Sequence, residues 1–152
     1  MTEFQDSSKK MIFSTLAEWW LSKSKYGDDL MRMAPKLANA SLEVYTSALN
    51  ELLPTPTRSH YTFNLRDLSN LFQGMCLAGS TLQSVDDLVR LWTHESLRVF
   101  ADRLIDDGDR EWFADALTKA VENHFSTKWY DRSICAVSTT RVVMVRCTKL
   151  ST

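Results

Sequence analysis

Glycine and proline are scarce in this chain, and their positions restrict its fold more than any other feature. The 152 residues contain four Gly and three Pro, and two of the prolines, Pro54 and Pro56, lie together. A turn-rich β protein needs more of both, because these residues set the backbone angles of tight turns. Leu, Ala, Met and Glu have high helix propensity and are plentiful, so the sequence predicts long helices separated by few breaks.

Apolar residues recur at spacings of three and four in five segments, which is the pattern of amphipathic helices. The predicted helices cover about 8–22 and 35–52, then begin at Asn64 and end before Gly79, then cover 84–105 and 110–125. Turns are predicted at 28–34 and 107–109, and an extended stretch at 54–61, because residues before proline avoid the helical region.

The first helix is expected to bury one face, and three tryptophans are expected in the core. That face comprises Met11, Ile12, Thr15, Leu16, Trp19 and Trp20. Trp19, Trp92 and Trp112 lie at core spacing, so packing is favoured over a ligand box. Trp19 and Trp20 cannot both face one core, which marks one of them as a contact for a missing partner.

The C-terminal tail differs from the rest of the chain. Residues 134–148 are rich in β-branched side chains, whose local preference is strand. A single hairpin is marginal without a sheet to pair with. The tail can therefore be β or disordered, and the sequence does not choose between these states.

The sequence lacks the common catalytic and ligand-binding motifs. It has no GxxxxGK[ST] phosphate loop, GxGxxG, HExxH or GxSxG. His60, His94 and His124 lack paired metal-ligand spacing, and the acidic residues between 102 and 111 lack the EF-hand pattern. We therefore predict no catalytic residue and no metal site.

Charge, cysteine count and hydropathy exclude several classes of partner. A net charge of −1 gives no field that attracts nucleic acid or an anionic membrane, although residues 57–61 mix basic and aromatic side chains. The apolar runs are too short for a membrane span, and the N-terminus lacks a secretory pattern. Three cysteines without a CxxC pair fit a reducing compartment, so cytoplasm or cytoskeleton is expected.

One stretch carries specific information. LLPTPTRSHYTFNLRDLS at 52–69, followed by FQG at 72–74, closely resembles dynein heavy chains. The runs LVRLWTHE at 88–95, RVFADRL at 98–104 and DDGDREWF at 106–113 match the same family in order and spacing. The resemblance covers roughly residues 10–126 and is to the helical lid of the third AAA+ module in axonemal dyneins. The axonemal form is indicated chiefly by Asn64 to Asp67, where cytoplasmic dyneins carry a Ser-Pro-Arg-Glu type sequence.

The resemblance implies an all-α fold, a helical bundle of the AAA+ lid type. It divides the chain into an N-terminal helix and connector to the AAA+ core at 1–35, the lid at 36–126 and a divergent tail at 127–152. The phosphate loop and Mg-binding motif of the family would lie upstream of Met1. The resemblance therefore implies that this chain is one part of an ATPase motor and is not an enzyme on its own. It implies no cofactor bound by this part, and ATP or ADP with Mg in the complete module.

The family also suggests partners and a role for one arginine. The partners implied are the neighbouring AAA+ modules of the dynein ring and, indirectly, the microtubule, within the ciliary axoneme. Arg66 matches the lid arginine called sensor 2, which approaches nucleotide phosphates; a guanidinium suits this with its permanent charge and donor fork. The structural alternative is a surface arginine paired with Asp67 or Asp102. Asn64 and Asp67 are expected to cap the helix that carries Arg66.

Two functions of other classes compete with the lid interpretation. A free-standing helical adaptor would share the same composition and the same lack of catalytic motifs. An independent ATPase is disfavoured, because the chain has no phosphate loop.

Overall fold

The computed structural model describes residues 5–23, 27–77, 82 and 84–125, and these residues form an all-α bundle without strands. The helices are α1 (Asp6–Lys23), α2 (Asp28–Met31), α3 (Ala34–Glu51), α4 (Leu65–Leu77), α5 (Val85–Phe100) and α6 (Asp107–Phe125), with a 3-10 helix at Ala101–Arg103 between α5 and α6. The predicted all-α fold is confirmed. The strand pattern at 134–148 and the helix end at Gly79 lie outside the described residues.

Helix α3 is the centre of the bundle. Pro35 stands in its first turn, where the missing N–H is no loss, and the helix buries one broad stripe. It packs against α1 on one side and α6 on another, while α4 and α5 pair with each other. The buried stripe includes Leu37, Ser41, Val44, Tyr45 and Ala48, and Leu52 just after the helix is buried too.

A polar contact inside the core joins α3 to α5. The indole Nε1 of Trp92, which is fully buried, donates to Ser41 Oγ at 2.8 Å. The Ser41 hydroxyl donates in turn to the Leu37 carbonyl, also at 2.8 Å. Burial of an indole N–H without a partner would be costly, so this pair fixes how the two helices face each other.

Helix α5 begins at a capping box. Ser84 Oγ accepts from the backbone N–H of Asp87, and the Asp87 carboxylate accepts from the backbone N–H of Ser84. The two contacts satisfy donors that a helix start leaves free. The predicted start at Ser84 is thus confirmed.

The predicted buried face of α1 is wrong. Of the six residues expected inside, only Trp20 is buried, and the residues that join it are Phe13, Ala17 and Leu21. The cause lies in the sequence: apolar side chains surround this helix, so two stripes with helical spacing compete. Packing on α3 selects one stripe and leaves the other, with Trp19, exposed.

Three predicted boundaries also differ. Residues 28–31 form the one-turn helix α2 within a stretch predicted as a turn. The helix predicted to reach residue 105 ends at Phe100 and tightens into the 3-10 helix, so Leu104 is extended. The turn predicted at 107–109 is instead the first turn of α6, with Asp107 and Asp109 near its positive end.

Gly74 allows a carboxylate to lie between α4 and α5. Glu95 on α5 is 7% exposed, and Arg98 Nε and Nη2 donate to its Oε2 at 2.8 and 2.7 Å. A Cβ placed on Gly74 would meet that Oε2 at 1.9 Å and Arg98 Nη2 at 2.8 Å. A Cβ at position 74 would therefore have to displace the ends of the Glu95 and Arg98 side chains from this close approach to α4.

We expect Gly74→Ala to destabilise the chain relative to Gly108→Ala. Both substitutions increase helix propensity, but a Cβ at Gly108 meets nothing within 4 Å. At Gly74 the methyl group displaces the Glu95–Arg98 pair, and overpacking of this kind costs about 1–3 kcal/mol. Urea denaturation should place Gly74→Ala at least about 1 kcal/mol below Gly108→Ala. Equal stability of the two variants would contradict the close packing described here.

Candidate functional site: the Pro-rich segment and the start of α4

The connection from Leu52 to Asn64 contains no helix, and side chains fasten it to the bundle. Two turns shape it: Arg58 N donates to the Thr55 carbonyl at 2.9 Å, and Tyr61 N donates to the Arg58 carbonyl at 3.1 Å. Tyr61 and Phe63 then enter the core and are 1% and 7% exposed. Two buried aromatic side chains thus hold the end of the segment against the bundle.

A polar network holds the middle of this segment against the start of α6. Arg58 pairs with Asp106 and, at 2.7 Å, with Asp109 Oδ2. The Tyr61 hydroxyl donates to the same Asp109 Oδ2 at 3.0 Å and accepts from Ile105 N at 3.1 Å. The network thus satisfies a buried hydroxyl and a backbone N–H of the linker before α6.

Arg103 joins the end of the segment to the start of α4. Its Nη2 donates to the carbonyls of His60 and Thr62 at 3.2 and 3.0 Å, and its Nη1 pairs with Asp67 Oδ1 at 3.0 Å. The guanidinium also lies 5.2 Å from the centre of the Phe63 ring. One side chain thereby links three parts of the chain, which the planar donor fork of arginine permits.

Asn64 and Asp67 exchange hydrogen bonds at the start of α4. Asn64 Oδ1 accepts from the backbone N–H of Arg66 at 2.9 Å and of Asp67 at 3.3 Å. Asp67 Oδ2 accepts from Asn64 N at 2.9 Å. This arrangement is that of a capping box, with asparagine in place of serine or threonine.

Arg66 lies in the first turn of α4 and is exposed. Within the described part of the chain its guanidinium makes no hydrogen bond or ion pair, and Asp67 is paired with Arg103 instead. The side chain therefore projects from a fixed helix start with its donor fork free for an external acceptor.

The other chemically reactive residues do not form a site. The His60 ring lies 3.1 Å from the Arg103 carbonyl, and His124 Nε2 lies 2.5 Å from Glu43 Oε2. Burial raises the pKa of the Cys76 thiol, and the charge of Lys23 opposes that rise only in part. Among the described residues no group of three or more His, Cys, Asp or Glu side chains could hold a metal ion.

The mixed basic and aromatic stretch at 57–61 is used internally. The charge of Arg58 is taken up by two carboxylates and Tyr61 is buried, so the nucleic-acid interpretation loses its main cation. No helix of the described ranges combines the length and apolar character that a bilayer crossing demands.

Helix α1 carries a stripe of exposed apolar side chains on the side away from α3. Met11, Ile12 and Trp19 are 70%, 52% and 57% exposed, with Leu16 between them. Lys23 Nζ lies 4.8 Å from the centre of the Trp19 ring. Apolar stripes of this kind mark contact surfaces, so Trp19 is the member of the tryptophan pair that faces outward.

The sequence interpretation missed Arg58 and Arg103. Asp106 and Asp109 both bind Arg58, and Asp67, which was predicted as a cap or as a partner of Arg66, binds Arg103. The available signal was weak: each arginine lies in a stretch that resembles the dynein family, but the partners are 36 to 51 residues away in sequence.

Comparison with known proteins agrees with this architecture. Residues 37–132 match the family described as the AAA+ lid domain. Over 131 aligned residues, 79% of this chain, it is 42% identical to dynein axonemal heavy chain 1 of Mus musculus. It is 42% identical over 125 residues to dynein axonemal heavy chain 3 of Mus musculus and 34% identical over 131 residues to dynein axonemal heavy chain 12 of Homo sapiens.

The fold and the match together define a helical AAA+ lid, and the chain belongs to the AAA+ lid domain family. The predicted resemblance to axonemal dynein heavy chains is confirmed. The alignments cover 79% to 86% of this chain. They cover only 3% to 4% of the length of these relatives.

We expect Tyr61→Phe to destabilise the chain, because it leaves the backbone N–H of Ile105 without its acceptor. Loss of one partner of a buried hydrogen bond costs about 1–3 kcal/mol. Thr118→Val is the control, since that hydroxyl bonds only the Ala114 carbonyl within its own helix. Chemical denaturation that finds Tyr61→Phe as stable as Thr118→Val would contradict the role given to the hydroxyl.

Proposed function

We propose that this chain acts as the lid of the third AAA+ module in an axonemal dynein heavy chain. There it relays nucleotide state between the modules of an ATP-driven microtubule motor in the ciliary axoneme. The nucleotide, ATP or ADP with Mg, is held chiefly by the AAA+ core of the module. The chain alone is expected neither to bind nucleotide tightly nor to hydrolyse it, because a phosphate cradle and Mg ligands are needed for both.

The observation that carries this proposal is the state of Arg66. Arg66 does not pair with the carboxylate next to it, because Asp67 binds Arg103 instead. The Arg66 backbone N–H is held by Asn64 at 2.9 Å, so the base of the side chain is fixed while its charged end is available. This is the arrangement that sensing a phosphate from a lid requires: a fixed origin and an unoccupied donor fork.

The apolar stripe of α1 supplies the contact that a lid needs with the rest of its motor. We propose that Met11, Ile12 and Trp19 pack against the AAA+ core of the same heavy chain. A covalently attached core has a high effective concentration, so a narrow stripe is sufficient for this contact. The stripe would thereby transmit a change of lid angle to the core.

A free-standing adaptor is the second candidate, and the same stripe favours it. An amphipathic helix with an uncovered apolar face can occupy a groove of another protein. Sequencing the parent transcript upstream of the codon for Met1 separates the two functions. An intact phosphate loop in the same reading frame supports the lid, and its absence supports the adaptor.

We expect Arg66→Ala to weaken nucleotide binding at this module of a full heavy chain by about ten- to a hundredfold. The estimate corresponds to the loss of one charge-assisted contact to phosphate. Arg32→Ala is the matched control, because Arg32 is also exposed but lies at the end of α2. Fluorescent ATP titration, with the other nucleotide sites inactivated, measures the affinity. Unchanged affinity in Arg66→Ala would contradict the phosphate-sensing role and leave Arg66 as an ordinary surface residue.

A further inference from the structure

We propose that Arg103 is a positioning residue for the phosphate-facing Arg66. The inference rests on the proposed function and adds to it a residue from a different element of the bundle. Arg103 lies in the 3-10 helix after α5, 36 residues further along the chain than Asp67, and it acts on Arg66 without contacting the nucleotide.

Arg103 is linked to the backbone of Arg66 by a chain of hydrogen bonds. Arg103 Nη1 holds Asp67 Oδ1 at 3.0 Å, and Asp67 Oδ2 accepts from Asn64 N at 2.9 Å. The Asn64 side chain then accepts from Arg66 N at 2.9 Å. Three successive contacts thus run from Arg103 to the backbone of Arg66. Each one fixes a group that would otherwise rotate freely at a helix start.

The effect of Arg103 is also electrostatic. Asp67 directly follows Arg66 in the sequence. An unpaired Asp67 carboxylate would therefore lie near a phosphate bound by Arg66 and would repel it. The guanidinium of Arg103 neutralises Asp67 in a half-buried setting, where the Asp67 side chain is 13% exposed. The positive charge of Arg66 is therefore not cancelled by its neighbour, and the first turn of α4 keeps a net attraction for anions.

Arg103 is itself attached to the Pro-rich segment. Its Nη2 donates to the carbonyls of His60 and Thr62, and its own carbonyl lies 3.1 Å from His60 Nε2. The position of α4 is thereby tied to the end of α5 through the Pro-rich segment. Movement of α5 relative to that segment would move Arg66, which gives the lid a route from helix packing to the nucleotide.

Arg58 provides a matched control for the test. It also fastens the Pro-rich segment through two carboxylates, Asp106 and Asp109, but it makes no contact with Asp67. Substitution of either arginine by glutamine removes one of the guanidinium groups that hold this segment against the bundle. Only Arg103→Gln releases the start of α4.

The first measurement uses amide hydrogen exchange on the purified chain. We expect Arg103→Gln to accelerate exchange at the N–H groups of Asn64, Arg66 and Asp67 by about tenfold or more, while Arg58→Gln leaves these three rates within about twofold of the parent. Equal rates in the two variants would overturn the mechanical coupling, whether or not Arg66 touches nucleotide.

The second measurement is nucleotide affinity at this module in the full heavy chain, with the other sites inactivated. We expect Arg103→Gln to weaken fluorescent ATP binding by about three- to tenfold, and Arg58→Gln to change it by less than about twofold. Arg103→Lys, which keeps a charge beside Asp67, should recover part of the loss. With Asp67→Asn already present, Arg103→Gln should cause a smaller further loss than in the parent, because only its contacts with the His60 and Thr62 carbonyls remain to be removed.

The outcomes separate the two proposals. If Arg66→Ala weakens binding but Arg103→Gln behaves like Arg58→Gln, the lid function stands and the positioning role is wrong. If Arg66→Ala has no effect on binding, the phosphate-sensing role and the positioning role both fail.

Discussion

The attachment of the Pro-rich segment to the end of α5 and the start of α6 is the constraint on which the site depends. This segment between α3 and α4 has no helical hydrogen bonds, so its carbonyls and turns need partners from elsewhere in the chain. Arg103 supplies two donors to its carbonyls, while Arg58 and Tyr61 bind carboxylates before and within α6. The packing of α4 on α5 holds the body of that helix, and these contacts add the restraint on its first turn, where Arg66 lies.

The central helices give that attachment a rigid base. Ser41 and Trp92 join α3 to α5 through a buried hydrogen bond, and Glu95 lies against Gly74 to set the spacing of α5 and α4. Both contacts demand particular residues rather than apolar volume alone. Close packing of this kind favours movement of the helices as a unit, which is what the proposed relay of nucleotide state requires.

Sequence reasoning predicted elements where a single signal dominated. Helices α3, α4 and α5 have one apolar stripe each and clear start signals at Pro35, Asn64 and Ser84. Helix α1 has apolar side chains on every side, so spacing alone could not choose the buried stripe, and the wrong one was predicted. The contacts of Arg103 with Asp67 and the Pro-rich segment could not be predicted, because contacts between distant positions leave no periodic pattern in a single sequence.

The central claim is that Arg66 extends from a fixed helix start to a nucleotide phosphate. A cryo-EM reconstruction of a full heavy chain containing this sequence, with a non-hydrolysable ATP analogue bound at its module, tests it most directly. We expect a guanidinium nitrogen of Arg66 within about 3 Å of a phosphate oxygen, with Asp67 still paired to Arg103. A guanidinium turned to solvent or to a carboxylate, beside an occupied nucleotide site, would contradict it.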